Sequence, residues 1–157
     1  MDIVMGKMYL FVERVPLRTH ILLRKEMAKG RKVLYLTKNS PLVLKSQLAD
    51  EMDLLEIKWL SPRPNGECLS PVNLEAMEAS ITAFMQKNPD GIVVLNGLEV
   101  LEMWNGFTPV AACLKRAQNK LWENNNSFMI SVDPKNLFTG NITPLTKISD
   151  EVISSAP

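Results

Sequence analysis

The sequence predicts an α/β protein: a three-layer, doubly wound, five-stranded and mostly parallel sheet with helices on both faces. Three observations carry this. Five short apolar runs are mostly continuous rather than alternating, as in strands buried on both faces. Between them the apolar spacing changes to the 3–4 interval of a helix. The two patterns alternate along the chain, the order expected of parallel strands joined by right-handed crossovers.

The runs are Met8–Val12 (MYLFV), Lys32–Thr37 (KVLYLT), Leu55–Leu60 (LEIKWL), Gly91–Leu95 (GIVVL) and Phe128–Val132 (FMISV). Leu55–Leu60 places Glu56 and Lys58 on one side and reads as an edge strand. A first amphipathic stretch is built on Leu17, Ile21, Met27 and Ala28, with Gly30 placed to end it. A second uses Leu44, Leu48 and Met52. The third uses Leu74, Met77, Ile81, Phe84 and Met85, and the fourth Val110, Leu114, Ala117 and Leu121. Ser40-Pro41, Ser70-Pro71 and Thr108-Pro109 read as helix starts, a hydroxyl at the N-cap followed by a proline that has no N–H to leave unsatisfied. In the tail, Leu145, Ile148 and Val152 suggest a short last helix.

The 157 residues fit one domain over 1–157, with 46% apolar and 22% charged residues and a net charge of +1. That balance names no partner, but the charge is unevenly placed. Between Arg14 and Lys38 stand eight basic residues and a single acid, Glu26. Tyr35 is the one aromatic residue among those bases, short of the interleaving that single-stranded nucleic acid would require, so nucleic acid is not the expected partner. No apolar run approaches the length of a membrane helix. Cys68 and Cys113 belong to no CxxC pair, and His20 is the only histidine, so no zinc site is expected. This cysteine usage fits a reduced, cytoplasmic setting.

The first strand–helix turn is where a nucleotide-binding α/β fold holds phosphate. Here it reads Glu13-Arg14-Val15-Pro16-Leu17-Arg18-Thr19: no glycine, and a proline that removes a donor. GxxxxGK[ST] and GxGxxG are absent from the chain. The fourth run ends in Asn96-Gly97-Leu98-Glu99. It has the shape of a strand that would present a magnesium-binding acid, but it carries an amide, and Asn96-Gly97 reads as a tight turn. Asp133 reads as an N-cap. The irregular segment Ser61–Leu69 overhangs the same edge. Arg14, Lys38, Arg63, Glu99 and Asp133 are thus candidates for a ligand site at the carboxyl ends of the strands. No catalytic constellation, metal site or cofactor site is expected. Met103, Trp104 and Phe107 form an apolar connection before the fourth helix. It is either a docking patch or a cover over the end of the sheet.

Several stretches together resemble the archaeal Domain of Unknown Function 835 family. They are Gly30–Thr37, Ile57–Ser61, Leu69–Glu75, Asn88–Glu99, Asn105–Phe107 and Ser131–Pro134, in matching order and spacing over roughly residues 8 to 150. In that family the Asn96 position is typically Asp, so the chain departs where a metal would be held. The layout is also similar to a reduced RecA/KaiC-type core without its phosphate loop. The resemblance implies a regulatory or scaffolding role in an archaeal cytoplasm, since related domains occur in signalling proteins. Two readings follow. One is a non-catalytic interaction module that docks on a protein partner or on itself. The other is a ligand-binding or enzymatic domain using the crevice at the strand ends.

Overall fold

The structure, a computed structural model, describes residues 1–48, 53–63 and 65–154. Its centre is a parallel sheet of seven strands, in the order β4-β3-β2-β5-β6-β1-β7. The strands are β1 Met8–Val12, β2 Val33–Thr37, β3 Leu55–Leu60, β4 Cys68–Leu69, β5 Ile92–Asn96, β6 Ser127–Val132 and β7 Glu151–Ser154. The five expected strands are present, and β2, β5 and β6 are buried along their whole length, as their unbroken apolar runs require.

The sheet therefore has seven strands, not five. β4 is two residues long and lies inside the stretch read as irregular. Its partners are only Trp59 and Leu60, so β3 keeps most of its half-exposed edge character. β7 pairs Glu151–Ser154 with Tyr9–Val12 and claims Val152, which the sequence suggested for a last helix. That helix, α6, stops at Ile148. Edge strands this short or this exposed carry too little periodicity to be read from sequence.

Two apolar layers hold helices to the sheet. On one face α1 (Leu17–Met27) and α2 (Pro41–Gln47) pack on Tyr9, Phe11, Tyr35 and Met129. On the other, α3 (Leu74–Lys87), α4 (Leu98–Asn105), α5 (Phe107–Lys120) and α6 (Thr143–Ile148) cover Leu10, Leu36, Leu95 and Ile130. The stripes expected for α3 and α5 face inward: Met77, Ile81, Phe84 and Met85, and Val110, Leu114 and Ala117, followed by Leu121. In α2, Leu44 and Leu48 are buried, while Met52 lies outside the described residues.

The stripe expected for α1 is inverted. Of its four residues only Met27 is buried; Leu17, Ile21 and Ala28 face solvent. The buried face is instead Thr19, His20, Leu22, Leu23, Glu26 and Met27. Of the three Ser/Thr-Pro starts only Ser40-Pro41 acts as one, with the Ser40 hydroxyl accepting from Leu42 N–H at 3.3 Å. Asn73, not Ser70, caps α3. α5 begins at Phe107, so Thr108 lies inside it. The segment read as a connection through Met103 and Trp104 is mostly helix α4, which starts directly after Gly97.

Candidate functional site

A crevice of about 230 Å³ opens at the carboxyl ends of the four central strands β2, β5, β6 and β1. The topology makes it. The chain leaves β1 and β2 toward the α1/α2 face and leaves β5 toward the opposite face, so the connections diverge above the sheet. Arg14, Lys38, Asn96, Glu99, Ser131 and Asp133 line it.

Four of the five expected ligand residues are thus brought together. Lys38 Nζ lies 2.6 Å from Glu99 Oε1, an ion pair that bridges the turn after β2 and the first turn of α4. The carboxylate oxygen is buried, yet among the described residues no donor, Lys38 included, is aligned for a hydrogen bond to it. Asp133 Oδ1 accepts from Lys135 N–H at 3.1 Å, capping the short 3₁₀ turn Pro134–Asn136 as expected of it. Arg63 does not reach the crevice. Its guanidinium stands over the Trp59 ring, 5.1 Å from the centroid.

Asn96 is not a turn residue. It closes β5 in register with Thr37 and Ser131, and its side chain is buried. Its carbonyl accepts from Lys38 N–H at 2.8 Å. The turn itself belongs to Gly97, whose φ of 149° caps α4.

The floor of the crevice is a residue the sequence reading passed over. Glu13 follows β1 and is buried. Its Oε1 accepts from Arg18 N–H at 2.9 Å; its Oε2 accepts from the Thr19 hydroxyl at 2.5 Å and the Ser131 hydroxyl at 2.8 Å. The carboxylate therefore caps α1, whose N-cap residue Pro16 offers no side chain to do so. The uncapped Pro16 was the available signal: a helix start with no acceptor needs one from elsewhere.

Beneath Glu13 the polar network continues. Burial first, and then the Glu13 charge, pushes the Tyr35 hydroxyl well above the usual phenol range, against a hydrogen bond from Asn96 that draws it down. Tyr35 therefore stays protonated, and its oxygen lies 2.6 Å from His20 Nε2. Burial, reinforced by the positive Arg24, lowers His20 to about 4. The neutral imidazole and the protonated phenol thus share one buried hydrogen bond at Nε2. A lone histidine is here a partnered core residue.

A larger hollow, about 640 Å³, lies at the opposite edge of the sheet. Its one buried cation, Arg31, is fully engaged: with Glu26 Oε1 at 3.1 Å, the carbonyls of Ile3 and Asp90, and the Ser127 hydroxyl. That arrangement ties the amino edge together rather than opening a site.

On the α4 face, Met103 and Trp104 are both more than half exposed, whereas Phe107 is half-buried against the core. The expected apolar connection is therefore divided, with two residues offered to solvent and one covering the sheet. Phe138, exposed, is distant in sequence but tied to the same helix, its N–H donating to Glu102 Oε1 of α4 at 2.6 Å.

The parallel sheet and its helix layers define a RecA-like α/β core. A KaiC-like protein from the hyperthermophilic archaeon Pyrococcus horikoshii superimposes with a TM-score of 0.70 over 96% of this chain and 72% of that one, at 11% sequence identity. By sequence, the chain belongs to the DUF835 family, described as a protein of unknown function, whose profile matches residues 17–148. No curated protein matches the chain. Among the described residues, no helix is long and apolar enough to cross a membrane.

Proposed function

We propose that this protein is a non-catalytic interaction module built on an ATPase-like core, with a regulatory or scaffolding role. The observation that carries this reading is the Glu13 carboxylate. In a nucleotide-binding α/β fold the first helix after β1 directs its amino terminus at a phosphate. Here an internal anion holds that helix start, accepting from Arg18 N–H and the Thr19 hydroxyl. A phosphate brought to the same donors would meet a buried negative charge at close range. Val15-Pro16 supplies no backbone cradle around it, and Asn96 stands where a magnesium-binding acid would. The exposed Met103 and Trp104 of α4 are the docking residues of this reading, either for a protein partner or for a second copy.

Isothermal titration calorimetry with ATP and GTP in the presence of Mg²⁺ tests it. The expected result is no saturable heat below about millimolar nucleotide, a binding free energy no better than about −4 kcal/mol, and no phosphate release. Micromolar, Mg²⁺-dependent binding would overturn the reading.

The ion-paired crevice supports a second reading, a site for a small polar ligand held by Arg14, Lys38, Glu99 and Asp133. A melting-temperature screen of charged metabolites separates the two. A shift that disappears in Lys38→Met favours the ligand site.

A further inference from the structure

The outer face of α1 is apolar where a solvent-facing helix is ordinarily polar. Leu17 and Ile21, one turn apart, are 65% and 58% exposed, and Val15 just before the helix is 61% exposed. The inner face meanwhile holds Thr19, His20 and Glu26. The apolar residues border a hollow of about 220 Å³ between α1 and Gln47 at the end of α2. Its surroundings are basic. Arg14 and Arg18 are exposed, and neither guanidinium is paired with a carboxylate among the described residues. The single acid of α1, Glu26, is buried.

We propose that this face of α1 is a docking groove for an acidic amphipathic segment of another protein. Apolar side chains of that segment fill the hollow beside Leu17 and Ile21, and its carboxylates meet Arg14 and Arg18. Charge decides the chemistry of the partner: Arg14 and Arg18 border an apolar stripe that carries no exposed acid, and Arg24, bound to the Gln47 carbonyl, lines the hollow, while Lys25 is already paired with Asp2 at 2.8 Å. Shape favours a peptide over a lipid surface. The site is concave, and the inner side of α1 is locked against the sheet, so the helix cannot roll into a bilayer. The groove lies on the opposite face of the sheet from Met103 and Trp104, so it is a second surface. Its fate is independent of the nucleotide titration above.

The test is an NMR titration of the isotope-labelled full chain with a synthetic 18-residue helix, leucine at helical spacing and glutamate at the other positions. A lysine-for-glutamate counterpart and anionic phosphatidylserine vesicles are run beside it. The expected result is saturable shifts confined to the Arg14–Arg24 region and Gln47, with a Kd of about 10–100 μM. Leu17→Ser with Ile21→Ser, and separately Arg14→Glu with Arg18→Glu, should each weaken binding roughly tenfold or more. Both pairs are exposed, so their melting curves should match wild type. Any of four outcomes overturns the proposal: no saturable shift at millimolar peptide, equal binding of the lysine peptide, co-sedimentation with vesicles in place of peptide binding, or shifts that appear on concentrating the protein alone.

Discussion

Glu13 shows how one side chain can stand in for a whole motif. A glycine-rich loop satisfies the amino terminus of the first helix by leaving room for a phosphate; Glu13 satisfies it from within, accepting from one backbone N–H and two hydroxyls. His20 offers a measurable consequence of the same buried network. Its imidazole is lowered from 6.5 to about 4 in the folded chain, so between those values the unfolded state binds the proton that the native state refuses. The contribution of His20 is thus fully present above pH 6.5 and is lost as pH falls through that window toward 4. Urea unfolding should show stability rising by on the order of 2–3 kcal/mol from pH 4 to 6.5 through this group. In His20→Gln, which cannot titrate, that rise should flatten. A wild-type profile that is already flat over the window would mean the imidazole is charged in the fold.

Among the elements, α4 is positioned by its first turn. Gly97 carries φ of 149°, and a Cβ placed there would sit 2.9 Å from Leu60 Cδ1 and 3.1 Å from Lys38 Cβ. Both the backbone and the space therefore demand glycine. Gly97→Ala should cost about 2–3 kcal/mol, measured as a lower urea midpoint at unchanged slope. It should also disturb the Lys38–Glu99 pair, because Glu99 rides on the turn that Gly97 starts. The same reasoning explains why α4 is hard to see in sequence. Eight residues with two glutamates and a tryptophan resemble a loop until Leu98 and Leu101 find the sheet beneath them.

At the scale of the whole molecule, the two helix layers leave different surfaces. The α4 face offers Met103 and Trp104, side chains that are enriched at interface cores. With a net charge of +1, copies repel one another little. Light scattering should therefore report a dimer or larger species at high concentration, or a monomer that is captured as a stable complex with another protein. Trp104→Ala should abolish that association and leave the fold intact, because half of the ring is already in water. Phe107→Ala, which opens space against the core, should instead lower thermal stability by about 2–4 kcal/mol. A folded wild type that is monomeric and partnerless would remove the α4 face as an interface.

What the sequence determined by itself is the alternation of strand and helix, the five central strands, and the inward stripes of α3 and α5. Each rests on many residues of one chemical kind repeating at one period, a signal that tertiary context rarely overrides. It also determined what the first turn lacks, since a missing glycine is as legible as a present one. The absence of a phosphate loop was visible in Val15-Pro16. Four of the five residues expected at the carboxyl edge line the crevice, because that edge of a parallel sheet gathers whatever follows its strands. Arg63 was lost to Trp59 because β3 is one strand beyond that gathering point. Tertiary structure alone decided the rest. β4 and β7 exist because a neighbour supplies hydrogen bonds to segments too short to declare themselves. The face of α1 was decided the same way. Leu17, Ile21 and Ala28 make as regular a stripe as Leu22, Leu23 and Met27, yet it is the second set that packs on the sheet, on the same side as Thr19, which bonds Glu13, and His20, which bonds Tyr35. Periodicity says that a helix has a face; which face is buried depends on partners more than a hundred residues away, such as Ser131 and Met129.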